Sequence, residues 1–343
     1  MKNPKETRRK IFDAYSKNLE LLKSNITFSS DFTNGYLCPL CFKLFYEEDL
    51  LESSENRLTL EDVPPKSLGG NPKILTCKIC NSSSGYKIDF HLFERLKEID
   101  ARQFLPNTKI DTSLIKDGNR VNSVLEIDNN GKIIFNVETN RSNPKEFENF
   151  HKNVFSYNSV YKSILAKEFI DTPFISKKFK ISMPQRSDEH RAEIGLLRIA
   201  YLLAYSTLGN SLILNESLFK IREQLLNPEK NILTKPFWFN TEFPEECVGI
   251  NVITEPEDLK CYLVIFNLST ASKRRQFAIA LPGPSYPDIN IYDNMNKLLC
   301  VDSDAFQNIK LKKFPKLDFI NDEKNIWYSS DFWRKYCVDM IDD

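Results

Sequence analysis

At 343 residues the chain exceeds a single domain of roughly 100–200 residues, so two domains are expected. A hydrophobic share of 41% and a charged share of 27% exclude a disordered chain and suit a globular one with a sizeable core. The 47 basic and 47 acidic residues cancel, so whole-chain charge says nothing about nucleic acid, and only a local basic surface could speak for it.

Residues 1–35 read as an N-terminal helical segment. Its opening, MKNPKETRRKIFDAYSKNLELLK, lacks the apolar core of a signal peptide, and the sequence shows no run of about 18 apolar residues. The expectation is a cytoplasmic protein that does not engage a membrane. Arg8-Arg9-Lys10 offers either phosphate contacts or a charged helix end. Eight cysteines in a reducing compartment point to metal ligands or buried thiols rather than disulfides.

The cysteine spacing separates those roles. Cys38 and Cys41 in YLCPLCFKLF, with Cys77 and Cys80 in LTCKICNSSSG, form two Cys-x-x-Cys knuckles, the ligand set of a closed tetrahedral zinc site. Such a site has no open coordination position, so the zinc is structural and any chemistry needs a second site. Cys247, Cys261, Cys300 and Cys337 stand singly and read as ordinary thiols. The gap between knuckles exceeds the roughly 15–20 residues of a simple zinc ribbon, so a segment is inserted.

In that insert, Arg57–Leu60 is β-prone and leads into Glu61-Asp62. Val63-Pro64-Pro65 then breaks the strand, Gly69-Gly70 turns the chain, and Lys73–Thr76 forms a second strand. CNSSSGYKIDFHLFERLKEID follows as a helix with Ile88, Leu92, Leu96 and Ile99 on its apolar stripe. The order is strand, loop, strand, helix, clasped at its ends by zinc.

Residues 36–104, and most closely 36–100, resemble the HNH endonucleases, whose ββα-metal core is commonly braced by two such knuckles in a treble-clef-like arrangement. The likeness rests on E-D-V-P-P-K-S-L-G-G and on L-T-C-K-I-C-N with the glycine that follows. It implies a divalent-ion ligand at Glu61, a general base at Asp62, an orienting residue at Asn71 and a second metal ligand at Asn81. Oxygen donors of this kind suit magnesium or manganese, which would neutralise charge on a phosphodiester while the base activates water. Gly85 would leave space for a phosphate or another ligand, and Asp89 could complete the shell.

The sequence departs from the family at Asp62, where a histidine is expected. An aspartate with a pKa of about 3.9 is a weaker base than a histidine at about 6.5. With half-complete proton transfer the difference costs on the order of tenfold to thirtyfold, which a nuclease can tolerate. His91 could replace the missing base or be a surface residue. His151 and His190 read as helix-surface residues, and Glu61-Asp62 alone would read as solvated turn acids.

Residues 105–343 are expected to form an α+β domain with an antiparallel sheet, because helix and strand blocks alternate without βαβ rhythm. RVNSVLEIDNNGKIIFNVETN is a hairpin turning at Asn129-Asn130-Gly131, and NPKEFENFHKNVFSYNSVYKSILAKEF has mixed helical character. SDEHRAEIGLLRIAYLLAYSTLGN is the clearest helix, capped by Ser187-Asp188, ended by Gly209 and apolar on nearly every side, hence a central buried helix. CVGINVITEPEDLKCYLVIFNLSTASKRRQFAIALPGP reads as three strands. Lys273-Arg274-Arg275 falls in an expected turn that could neutralise phosphates, and Phe237, Trp238 and Phe239 read as core.

These readings lead to a metal-dependent HNH-type endonuclease on double-stranded DNA, in a layout similar to bacterial proteins that act against foreign DNA. The downstream domain would position substrate, bind a protein partner or regulate. The alternative is a catalytically inactive zinc-containing module that holds DNA or protein on the same scaffold. An RNA nuclease is a third and weaker reading.

Overall fold

The computed structural model describes residues 3–23, 31–155, 179–235, 238–239, 242–284, 291–301 and 309–325. Helices combine with antiparallel sheets, as an α+β chain requires, and contacts divide it into two units. The first takes in Met1–Phe93, Ser187–Thr270 and Arg274–Asp343, and the second Glu94–Arg186 with Ala271–Lys273. The expected boundary near residue 104 thus meets a different division, in which the chain leaves the first unit at Phe93 and returns at Ser187. The physical reason is the apolar helix that begins there, which packs against the segment carrying the four clustered cysteines.

In the first unit, α1 (Pro4–Lys23) buries Phe12, Tyr15, Leu19 and Leu22 at helical spacing. β1 (Tyr36–Leu37) and β2 (Leu44–Phe45) form a short hairpin, and β3 (Leu58–Asp62) pairs with β4 (Pro72–Cys77). From β4 the chain runs straight into α2 (Lys78–Ser84), a π-helical turn (Gly85–Asp89) and α3 (Phe90–Arg102), whose residues from Glu94 onward belong to the second unit. The expected single helix therefore contains a widened turn ending at Asp89. Ile88, Leu92 and Leu96 of its stripe are buried, whereas Ile99 is partly exposed.

The loop between β3 and β4 explains its own composition. Val63 N–H donates to the Asn71 carbonyl at 3.0 Å, and Gly70 N–H to the Pro65 carbonyl at 3.2 Å, so the chain closes back on itself. Gly69 takes the left-handed conformation at φ 91°, and Leu68 anchors the turn in the core. Gly70 lies against Pro64 so tightly that a Cβ would sit 1.5 Å from the Pro64 carbonyl oxygen.

The second unit contains β5 (Thr108–Lys116), β6 (Asn119–Ile127), β7 (Ile133–Val137), α4 (Pro144–Phe155) and β8 (Lys180–Ser182). The sheet order is β7-β6-β5-β8, with α4 against it through Phe147 and Phe150. The hairpin turns at Asp128–Lys132, where Gly131 has φ 80°. Residues 156–169 of the expected mixed helical stretch lie outside the described residues.

Back in the first unit, α5 (Glu189–Leu208) is capped by Asp188, whose carboxylate accepts from Arg191 N–H at 2.9 Å, and it exits through Gly209 at φ 68°. Residues Glu189–Ile213 are long and apolar enough to cross a membrane by composition alone, yet 78% of that window is buried inside the protein. It is a core helix. α5 packs on a five-stranded sheet ordered β13-β10-β11-β12-β9. Its strands are β9 (Trp238–Phe239), β10 (Gly249–Glu255), β11 (Cys261–Ser269), β12 (Arg274–Leu281) and β13 (Lys310–Lys313). Arg274 and Arg275 belong to β12, paired with Ser269 and Leu268, rather than to a turn. α6 (Phe219–Leu226) and α7 (Ile291–Val301) complete the unit, and Phe237 lies outside the described residues.

Gly195 lets α5 come close to the helix that follows the clasp: a Cβ there would meet Leu92 Cβ at 3.0 Å. One turn further along stands Arg198. Substitution at the tightest of these glycines is expected to be costly. Gly70→Ala should lower the melting temperature by roughly 5 °C or more, because a backbone oxygen cannot yield as a side chain can. Differential scanning fluorimetry of the purified variant checks it.

Candidate functional site

The four knuckle cysteines converge, with all sulfurs within 4.8 Å of one another. Cys38 opens a tight turn in which its N–H donates to Lys43 O at 3.0 Å and its carbonyl accepts from Phe42 N–H at 2.9 Å. Cys77 ends β4 and precedes the first turn of α2, which carries Cys80. Sulfurs each about 2.3 Å from one tetrahedral ion would stand about 3.8 Å apart. The Cys41–Cys77 separation of 3.9 Å matches that spacing. Four thiols of this geometry can hold a structural metal, and an all-sulfur set favours a soft or borderline ion such as zinc. Their mutual contacts shift the four thiols in opposite directions, lowering the pKa of Cys41 and Cys77 and raising that of Cys38 and Cys80, as expected of sulfurs close enough to share protons.

Buried tyrosines fix the clasp. Tyr201 of α5 donates to Pro39 O at 2.7 Å, inside the first knuckle, and Tyr36 donates to Leu75 O at 2.7 Å while accepting from Leu75 N–H. Burial holds the phenols of Tyr36 and Tyr205 well above 10, so both remain neutral donors.

Glu61 and Asp62 diverge sharply in environment. The β3–β4 register slips between them, Glu61 pairing with Ile74 and Asp62 with Pro72, which leaves Lys73 as the extra residue of a bulge. Glu61 is 4% exposed and turned into the protein. Its Oε2 accepts from Thr76 Oγ1 at 2.8 Å, and its Oε1 lies 2.8 Å from Arg198 NH2. Asp89, at the end of the π turn, places both carboxylate oxygens 3.1 Å from Arg198 NH1. Arg198 itself is 1% exposed. The NH2 contact with Glu61 is a close charge contact that misses hydrogen-bond alignment, and Nε of Arg198 has no hydrogen-bond partner among the described residues.

Two carboxylates therefore share one guanidinium, leaving a net negative charge in a buried place. Burial pushes the Asp89 carboxyl up to about 6, with Glu61 adding to the rise and Arg198 opposing it. Burial alone would lower the pKa of Arg198, yet Asp89 and Glu61 together hold it above its ordinary value. It stays charged.

Asp62 makes no side-chain hydrogen bond or ion pair among the described residues. Burial and the charge of Glu61 raise its pKa, against the opposing pull of Lys66. Asn81 donates Nδ2 to Thr59 Oγ1 at 3.0 Å and to Leu60 O at 3.2 Å. Because Thr59 gives its own proton to Thr76 O, only its lone pairs face Asn81, which fixes the amide orientation and leaves Oδ1 as an available acceptor. The exposed Asn71 acts through its backbone carbonyl, and its side chain makes no hydrogen bond among the described residues. His91 accepts from Asp188 N–H at the start of α5, and burial lowers its pKa. His190 is partly buried and bonds Lys230 O through Nε2, whereas His151 is exposed.

A hard divalent cation needs several oxygen donors, commonly including water. Glu61 and Asp89 do not fit that need, since their oxygens face Arg198 and Thr76 in a buried setting. The Asp62 carboxylate and Asn81 Oδ1 remain as oxygens without a hydrogen-bond partner among the described residues. The basic stretches are engaged as well: Arg8 pairs with Glu52, Arg9 with Asp13 and Glu47, Lys10 with Glu6 and Arg274 with Glu245. The open cleft beside α1, about 730 Å³, is lined in part by the paired Arg8, Arg9, Glu47 and Glu52, and by none of Glu61, Asp62 and Asp89.

Arg198 escaped the sequence reading, although a signal was present. An arginine within the apolar run Ile194–Leu208 demands a buried carboxylate. No family model, curated protein or solved structure matches this chain.

Two measurements follow from this geometry. Cys77→Ser should abolish stoichiometric zinc, read by atomic absorption on purified protein, and lower thermal stability, since metal binding here contributes to folding. The second concerns pH. Folding raises the Asp89 pKa from 3.8 to about 6, so the folded state retains a proton the unfolded chain loses, and stability from this group falls as pH rises through that window. Asp89→Asn removes the slope. In urea unfolding, the variant should gain up to about 3 kcal/mol relative to wild type between pH 4 and pH 7.

Proposed function

We propose that this chain is an HNH-type endonuclease that hydrolyses phosphodiester bonds of double-stranded DNA, with Asp62 as the residue that takes the proton from the attacking water. The observation that carries the reading is the contrast between neighbouring acids on a cysteine-clasped strand pair. Glu61 is committed to Arg198, whereas Asp62 has no such partner, and burial makes it a better base than a free aspartate.

In this reading the water oxygen attacks phosphorus, its proton passes to an Asp62 carboxylate oxygen, and the P–O bond to the leaving oxygen breaks. Asn81 Oδ1 would serve as a donor to magnesium or manganese, which would supply charge neutralisation at the phosphate, while Asp62, kept off the ion, would stay basic enough to take the proton. Asn71 would fix the loop beside Asp62 through its bond to Val63 rather than through its side chain. A cytoplasmic role against foreign DNA and a partner surface on the downstream residues belong to the same proposal.

A second reading, an inactive zinc-containing module that holds DNA or protein, is favoured by one observation: the family's expected metal ligand, Glu61, is neutralised from within by Arg198. Supercoiled plasmid separates the two. The nuclease should nick it with magnesium or manganese, and Asp62→Ala should slow nicking by about a hundredfold or more while zinc content and melting temperature hold. A folded, zinc-loaded protein that binds plasmid without cutting it is the binding module.

A further inference from the structure

Glu61 is the residue that the HNH likeness would make a metal ligand, and it is the acid least available to a metal. Its two oxygens are taken by Thr76 and Arg198, each at 2.8 Å. Asp89, on the far side of the same guanidinium, offers both oxygens at 3.1 Å. We infer that Arg198 is the resident countercharge of this site: its guanidinium occupies the Glu61–Asp89 pair, so Glu61 does not serve as a ligand of a divalent cation.

The guanidinium cannot easily make way. Gly195, one turn before it, seats α5 against Leu92 at a distance that leaves no room even for a Cβ without movement. Arg198 is thus held in place by the packing of its helix. Withdrawing it would strand a buried cation, and leaving it while a divalent ion bound Glu61 would set two positive centres side by side out of water. With Glu61 only 4% exposed, the waters that usually complete a magnesium or manganese shell have little access.

The inference rests on the proposed reading only in naming which oxygens a cation reaches, and its test does not use cleavage. Manganese is titrated calorimetrically into the zinc-loaded full chain, and melting temperature is recorded for wild type, Glu61→Gln and Asp89→Asn. Manganese leaves the zinc thiolates untouched because it prefers oxygen donors. The expected result is that both variants bind manganese within about threefold of wild type, or that none binds it, while Glu61→Gln melts lower by roughly 4 °C or more. A tenfold or greater loss of manganese affinity in Glu61→Gln overturns the inference, as does an unchanged melting temperature in that variant. A protein that shows the expected pattern but cuts no plasmid would fail as a nuclease and leave this assignment standing.

Discussion

A guanidinium removed from water has to be paired, and much of the first unit follows from meeting that demand at Arg198. The carboxylates come from opposite ends of the ββα segment, Glu61 at the close of β3 and Asp89 at the end of the π turn. Strand and helix are therefore tied to α5 through one cation. The widened turn is part of this arrangement, since Asp89 is its last residue. A π turn costs regular hydrogen bonding and is frequent where a side chain must be re-aimed.

The clasp and the core helix depend on each other. Two knuckles alone would close only the ends of a segment too small to bury its own apolar residues. α5 supplies Tyr201 against Pro39 and, through Tyr205 and Asn210, a buried polar network that reaches Asn18 and Tyr15 of α1. Asn210, just past the end of α5, donates its N–H to Asn18 Oδ1 and its Nδ2 to Tyr15 O and accepts from the Tyr205 hydroxyl, so the polar groups of this network are paired. The exception is the Tyr15 hydroxyl, which has no hydrogen-bond partner among the described residues and stays protonated under burial.

What could be read from sequence was local and periodic. Cysteine spacing located the clasp, β-prone residues located β3 and β4, Pro-Pro and Gly-Gly located the loop, and Ser187-Asp188 located the start of α5. The candidate site was legible only in part, because the fate of a carboxylate depends on what faces it. Glu61 and Asp62 are adjacent and chemically alike, yet one is paired across the core and the other is not. Asp89 and Arg198 stand 109 residues apart, beyond any periodic signal. The discontinuous unit was hidden for the same reason, as was the β12 position of Arg274, where strand pairing prevailed over a run of charges that resembled a turn.

The insertion of Glu94–Arg186 between the two halves of the first unit has a consequence for synthesis. At ribosomal speeds of roughly 5–20 residues per second, the clasp segment emerges about 5–20 s before Arg198 can reach it. During that interval Glu61 and Asp89 face solvent without their cation, and the apolar side of the clasp helix lacks α5. Metal capture by the four cysteines can precede that docking, so the nascent chain passes through a stage with its clasp formed and its acids still hydrated. The acids become internal only when the second half of the unit arrives, which makes the order of emergence part of how this site acquires its charge.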